Sequence, residues 1–294
     1  MSVIITENLT KAYGSFKALK GLDLRLNKNE IFGFIGPNGA GKTTTIRILL
    51  GLLRSSGGKA CLFGKDVWEN ASQLHNRLAY VPSDVNLWPN LTGGEVIDLL
   101  AKMRGRFDPK RKADLLERFR LDPTKKCRTY SRGNRQKVAI VSAFISDVEL
   151  MILDEPTTGL DPLMVMQFQE CIRSFKEAEK TVLLSSHILS EVEKVCDRIG
   201  IIKDGAIVES GTLAELRHLT QTRLTVETVS PITLGTLSAL DGVFDAKIEG
   251  SQAVFNVAPE AINRVLQNLT EYGIISLNSA YPTLEELFMR HYSA

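Results

Sequence analysis

Apolar residues along this chain fall into short runs separated by stretches of helical spacing. Ile31–Ile35 is an apolar run that ends in a glycine-rich turn. Thr43–Leu53 behind it reads as a helix, ending near Arg54-Ser55-Ser56-Gly57-Gly58. Ala79-Tyr80-Val81, Leu150–Leu153 and Thr181–Leu184 are further candidates for short strands. Alternation of this kind predicts an α/β fold with a largely parallel sheet. Thr92-Gly93-Gly94-Glu95 has capping-box spacing, with Val96, Ile97, Leu99, Leu100 and Met103 following at helical intervals. Asp108-Pro109 opens another helix with a cap residue and then proline, and Ser131 caps a third running through Val138, Ile140, Val141 and Phe144. These helices make residues 85–147 an inserted helical subdomain.

Ile199–Lys203, Asp204-Gly205 and Ala206–Glu209 predict a hairpin with an Asp-Gly turn, and Thr212-Leu213-Ala214-Glu215 starts a capped helix. The character changes after Thr220. Arg223–Val229, Val243–Glu249 and Ala253–Val257 alternate like strands, Glu260–Tyr272 reads as helical, and Thr283–His291 as a closing helix. The expected organisation is therefore a domain over 1–220 and a small α+β appendage over 221–294.

Charge does little to select a partner. A net charge of +2 on 294 residues argues neither for nucleic acid nor for an anionic bilayer. Cys61, Cys127, Cys171 and Cys196 are scattered singly, so neither a zinc site nor a disulfide framework is expected, and free thiols fit a reducing cytosol. Met1–Gly14 does not read as a signal peptide, and no segment approaches the roughly 20 apolar residues that span a bilayer. If the protein serves a membrane, it does so through a partner.

The chemistry begins at Gly36-Pro37-Asn38-Gly39-Ala40-Gly41-Lys42-Thr43, a G-x-x-x-x-G-K-[ST] pattern between a strand and a helix. Glycines let backbone N–H groups turn inward onto phosphate oxygens, and the helix offers its positive end to the same anion. Lys42 is expected to reach the β- and γ-phosphates and Thr43 to ligate Mg²⁺, with Thr44 a further phosphate contact. Leu150-Met151-Ile152-Leu153-Asp154-Glu155 is an apolar strand ending in two carboxylates. At the carboxyl edge of a parallel sheet these lie beside the phosphate loop. Asp154 is expected to hold Mg²⁺ through a water, and Glu155 to act as general base.

Further motifs carry a family resemblance. Asp154-Glu155-Pro156-Thr157-Thr158-Gly159-Leu160-Asp161 resembles the magnesium strand and D-loop of ATP-binding-cassette (ABC) ATPases, and Tyr130-Ser131-Arg132-Gly133-Asn134 stands where that family has its Leu-Ser-Gly-Gly-Gln signature. His187 matches the switch histidine and Tyr13 the aromatic that stacks on adenine. The resemblance spans roughly residues 1–220. It implies a phosphate-loop ABC ATPase core with an inserted helical subdomain, acting as the motor of a transporter. It further implies that two cassettes close head-to-tail on two ATP molecules, Ser131 and the Gly133 N–H of one meeting the γ-phosphate in the cradle of the other. Asp161 joins the nucleotide-contacting set on the same ground. The pair is either two copies or this chain with a relative, docked to integral membrane permease subunits on the cytoplasmic face. A soluble ABC ATPase acting on ribosomes or DNA is the competing expectation.

Two positions depart from the family. Ser83 stands where glutamine or glutamate usually contacts magnesium, so either Ser83 acts through a water or Asp84 substitutes. In the signature, Tyr130 replaces leucine, Arg132 the first of the paired glycines and Asn134 the glutamine. This variant resembles signatures of antibiotic-export systems, a subset that commonly carries a short C-terminal extension.

Overall fold

The computed structural model describes residues 2–105, 108–218, 221–249, 252–280, 284–286 and 288. Two units separate between Ser210 and Gly211. The first contains β1 (Ser2–Tyr13), β2 (Phe16–Asn27), β3 (Ile31–Ile35), α1 (Lys42–Leu49), β4 (Gly57–Leu62), β5 (Lys65–Asp66), α2 (Ala71–His75) and β6 (Leu78–Val81). It continues with α3 (Gly93–Met103), α4 (Pro109–Arg118), α5 (Arg132–Phe144), β7 (Leu150–Asp154), α6 (Pro162–Glu177), β8 (Thr181–Ser186), α7 (Leu189–Val195) and β9 (Arg198–Lys203), and the boundary falls before the last two residues of β10 (Ala206–Thr212).

The central sheet has the order β10-β9-β3-β8-β7-β6, and β9, β3, β8, β7 and β6 pair in parallel. β3, β7 and β8 are buried at every residue, which is why they read as unbroken apolar runs. A second, antiparallel sheet, β2-β1-β4-β5, went unread in the sequence. Register shifts interrupt the β1–β2 ladder at four places and break the period of two in β1, whereas Leu22, Leu24 and Leu26 of β2 still alternate with exposed Asp23, Arg25 and Asn27. α1 lies between the two sheets, and Ile46, Ile48 and Leu49 join Leu22, Leu24, Phe32, Phe34, Leu150 and Ile152 in one core.

The helix caps form as their sequence requires. The Thr92 hydroxyl accepts from the Glu95 N–H at 3.2 Å while the Glu95 carboxylate accepts from the Thr92 N–H at 2.7 Å. Asp108 caps α4 through the Lys110 N–H. α1 is shorter than expected. It stops at Leu49 because Gly51, at φ 64°, returns its N–H to the Ile48 carbonyl. α6 was not anticipated, although Asp161-Pro162 carries the same cap-then-proline signal as Asp108-Pro109. On the α5–α6 side of the core, the Phe144 ring meets Phe168 and Phe175 edge-to-face, with centroids 6.0 and 6.2 Å apart.

The second unit contains α8 (Leu213–His218), β11 (Thr222–Thr228), α9 (Leu234–Ser238), β12 (Val243–Glu249), β13 (Gln252–Val257), α10 (Ile262–Thr270) and β14 (Ile274–Ala280). From β11 onward the order is βαββαβ, and the antiparallel sheet order β12-β13-β11-β14 is that of a ferredoxin-like fold. Leu224, Val226, Phe255, Val257, Val265 and Leu269 form its core. The closing helix expected at Thr283–His291 lies mostly outside the described residues; Leu284–Glu286 and Phe288 are helical. Among the described residues no helix is long and apolar enough to cross a membrane.

Truncating Phe144 to alanine should cost about 3–5 kcal/mol. The midpoint of the first unit's urea unfolding should fall accordingly, and an unshifted midpoint would remove the aromatic cluster from the list of core determinants.

Candidate functional site

The site grows from the carboxyl ends of three adjacent parallel strands. β7, β8 and β3 are neighbours, with Asp154 opposite Ser185 and Ile35 opposite Ser186. The segments that leave these strands therefore converge. After β3 the chain turns through Gly36–Gly41 into α1. Gly41 has φ 114°, and a methyl group there would stand 2.8 Å from a Leu19 methyl and 3.1 Å from the Ala18 carbonyl, so only glycine fits. No side chain caps α1, unlike α3, α4, α5 and α6. Its first backbone N–H groups are left for a ligand, and no acidic residue lies in its first turn.

The loop is braced from behind. The Gly205 N–H donates to the Ala40 carbonyl at 3.0 Å, and the Gly205 carbonyl accepts from the Lys20 N–H at 2.9 Å. The Asp204-Gly205 turn thus supports the phosphate loop as well as joining β9 to β10, a role that turn chemistry alone does not reveal.

Side chains complete the arrangement. The Lys42 ammonium donates to the carbonyls of Gly36 at 2.5 Å and Pro37 at 3.1 Å, and lies 3.4 Å from the Glu155 carboxylate. Thr43 Oγ1 donates to Asp154 Oδ2 at 2.9 Å. Ser185 Oγ donates to the other oxygen, Oδ1, at 2.6 Å. Asp154 is wholly buried. Burial, with the Asp154 charge as the next cause, pushes the neighbouring Tyr80 hydroxyl up to about 12. Glu155 sits at φ 48°, a left-handed conformation that costs a non-glycine residue energy and is concentrated at functional sites. Its N–H is held by the Ser185 carbonyl and hydroxyl at 3.1 and 3.2 Å, and its carboxylate meets His187 Nδ1 at 3.2 Å.

A cleft of about 240 Å³ opens over this arrangement, lined by Tyr13, Phe16, Pro37, Asn38, Gly39, Gly41, Lys42, Thr43, Thr44 and Glu155 among others. Tyr13 and Phe16 face each other across the turn between β1 and β2, both largely exposed. Phe16 was missed in the sequence because the ladder that brings it beside Tyr13 was itself unread. Ser185 was missed because a serine after an apolar run acquires meaning only from the β7–β8 register.

Ser83, Ser131, Gly133 and Asp161 do not line that cleft. Ser83 follows β6 by two residues, and no hydrogen bond ties it to Asp154 or Thr43 among the described residues; Asp84 accepts from Asn86 at 3.4 Å. Ser131 Oγ accepts from the Asn134 N–H at 3.2 Å, capping α5. A methyl group on Gly133 would stand 2.5 Å from the Gly159 carbonyl, so the start of α5 packs directly on the D-loop. Asp161 caps α6 by accepting from the Met164 N–H at 2.9 Å. Two contacts unforeseen in the sequence hold the segment after the carboxylates, a buried one to α5 and a partly buried one to α7. Gln136 donates to the Pro156 carbonyl at 3.0 Å, and Thr157 donates to Glu191 at 2.6 Å. The Tyr130 hydroxyl donates to the Asp122 carbonyl at 2.5 Å, and its ring lies against Gly93, where a methyl group would come within 2.3 Å of the hydroxyl oxygen.

Comparison with known proteins agrees with this geometry. Residues 19–158 match the family described as ABC transporter, and residues 211–292 the ATP-binding protein DrrA1-3-like C-terminal domain. The daunorubicin resistance ATP-binding protein DrrA3 of Streptomyces coeruleorubidus is 34% identical, over 98% of this chain and 95% of its own length. A solved ATP-binding subunit of an ABC transporter superposes with a TM-score of 0.69 at 31% identity, covering 74% of this chain and 92% of that one. A dimeric ATP-binding cassette in a post-hydrolysis state, bound to ADP and Pi, superposes at 0.65 with 25% identity, over 71% and 98%. An uncapped, glycine-turned helix beside two strand-end carboxylates, together with relatives matched over nearly their full length, establishes that the chain belongs to the ATP-binding subunits of ABC transporters.

Proposed function

We propose that this chain is the ATP-hydrolysing motor of an ABC exporter, two cassettes pairing on two ATP molecules and driving separate membrane permease subunits from the cytoplasmic side. The observation that carries the reading is the Thr43–Asp154 contact at the uncapped start of α1, with Glu155 and His187 alongside. Residues 1–220 form the motor in this reading, and 221–294 an accessory domain. The likeness to a daunorubicin resistance protein supports export of drug-like cargo.

Tyr13 stacks on adenine, while Lys42, Thr44 and the N–H groups of Gly36–Thr43 bind the triphosphate. The donor set suits Mg²⁺, because a buried carboxylate and a hydroxyl are hard oxygen ligands and this ion takes few protein ligands beside its phosphates. Thr43 and Asp154 would hold it, with Ser83 reaching it through a water; when bound it neutralises phosphate charge. Glu155 takes a proton from the attacking water as the bond between the γ-phosphorus and the ADP oxygen breaks. His187, in contact with Glu155, keeps that carboxylate aimed. Ser131, Gly133 and Asp161 act from the partner cassette, since within one chain they are occupied away from the cleft.

Glu155→Gln should lower turnover by about 10²–10⁴-fold with ATP affinity retained, because only the base is lost. Phosphate release and equilibrium nucleotide binding report the two quantities, and near wild-type turnover would assign the base elsewhere. Lys42→Ala should weaken nucleotide binding itself, and unchanged affinity by titration calorimetry would count against the cradle. Ser185→Ala frees one oxygen of Asp154. It should raise the Mg²⁺ concentration for half-maximal turnover by about tenfold or more, whereas an unaltered Mg²⁺ titration would make Ser185 a folding residue alone.

A further inference from the structure

The sheet of the second unit ends on a strand unlike the other edges of the molecule. β14 pairs with β11 alone among the described residues, so one row of its backbone N–H and C=O groups has no partner strand. Such a row is a template for another strand, and proteins guard it with charges, proline, bulges or brevity. β12, at the far edge of the same sheet, is guarded. It carries Asp245, Lys247 and Glu249, and its ladder shifts register between Phe244 and Lys247, with Asp245 at φ 50°. In the first unit β2 carries Lys20, Asp23 and Arg25, β10 carries Glu209, β5 is two residues long, and β6 is buried at Leu78, Ala79 and Val81. β14 has seven residues with no charge, proline or glycine, and is exposed from Ile275 to Ala280. The one register shift in its ladder lies at the Ile274 end.

The core of the second unit stops short at this edge. Leu277 stands directly opposite Val226, so the two side chains point to the same side of the sheet. Val226 is wholly buried in the core, whereas Leu277 is 44% exposed. A leucine in register with a core position is left half in water because no strand follows it. One more strand on that side would cover it.

We infer that β14 pairs with β14 of a second copy of this chain, joining two four-stranded sheets into one of eight. The choice of partner follows from the strand itself. Antiparallel pairing of an edge with its own copy is isologous, so every residue must tolerate what its symmetry mate brings. A foreign strand can complement a charged edge; a strand that meets itself must be neutral or charge-balanced about its centre. β14 is neutral throughout. Overlap of the whole strand centres the pair on Leu277, and the two half-exposed leucines then cover each other. The contact needs no nucleotide. So short a ladder buries less than a stable dimer requires, which makes the association weak by itself. On the paired-cassette reading it serves by proximity: chains joined at β14 keep each other at high effective concentration after their cassettes separate.

The test is sedimentation equilibrium of the full-length chain without nucleotide. Wild type should associate reversibly with a Kd of about 1–100 µM. Leu277→Glu and Leu277→Lys should each weaken that association by about ten- to a hundredfold, through lost leucine contact and like charges across the twofold axis. Leu277→Ser should weaken it by less, having lost only the contact. An equimolar mixture of the Glu and Lys variants should recover a mixed dimer, because opposite charges then face each other. Recovery also shows that both chains are folded, since an unfolded strand gains nothing from a differently charged mate. Wild type still single at about 1 mM overturns the proposal and leaves the edge to a strand of another protein. Variants that associate like wild type overturn it too, as do variants that fail alone and fail mixed. ATP-dependent pairing of Glu155→Gln chains is read separately. Its loss brings down the paired-cassette reading and leaves the β14 contact standing, while its retention beside a single nucleotide-free wild type does the reverse.

Discussion

One buried carboxylate organises the catalytic end of this molecule. Asp154 has no exposed surface, and its side-chain partners among the described residues are two hydroxyls, Thr43 and Ser185. A charge removed from water is tolerated only where donors or cations compensate it. Thr43 reaches Asp154 only if α1 starts immediately behind the glycine turn. Ser185 reaches it only if β8 lies beside β7 in the observed register. The turn, the helix start and the strand pairing are thus all conditions on the solvation of a single group. Ser185 also holds the Glu155 N–H, which keeps the next residue in its left-handed conformation. The acid that suits a metal and the acid that suits a water molecule are oriented by the same serine.

Legibility in the sequence followed the range of the interactions concerned. The phosphate loop could be read directly because its requirements are local: glycines for the turn, a lysine and a threonine at the helix start. Asp154 and Glu155 could be read because an unbroken apolar run must end at the edge of a buried parallel sheet. Ser185 and the bracing Gly205 could not, since each matters through a neighbour at least thirty residues away in the chain, and Phe16 could not because its place beside Tyr13 depends on the β1–β2 pairing. β1 was lost to bulges that break its period, and β2 went unread although Leu22, Leu24 and Leu26 alternate with polar residues, whereas β3, β7 and β8 survived because buried strands need no period at all. The capping boxes at Thr92 and Thr212 were legible for the same local reason as the loop.

The departures in the signature region are matched by changes around them. Tyr130 is larger than the leucine of the family pattern, and the space it needs exists because Gly93 has no side chain. Its hydroxyl uses that room to bond the Asp122 carbonyl. The Gly93 N–H in turn donates to the Lys125 carbonyl, and the Gly94 N–H to the Pro123 carbonyl. The start of α3, the 122–125 segment and the residue before the α5 cap are thereby bound into one body. Side-chain and backbone hydrogen bonds thus connect the start of α3 to the residue before Ser131.

That body meets the D-loop at the Gly133–Gly159 approach, and the D-loop leads back to the carboxylates through Pro156 and Gln136. The chain of contacts is continuous from the helical subdomain to Glu155. It also explains why 133 requires glycine while 132 accepts a long side chain: the 133 side faces a carbonyl of its own chain, where any Cβ would collide, and the Arg132 side chain is exposed. Interior contacts constrain the inward residue whatever the partner is.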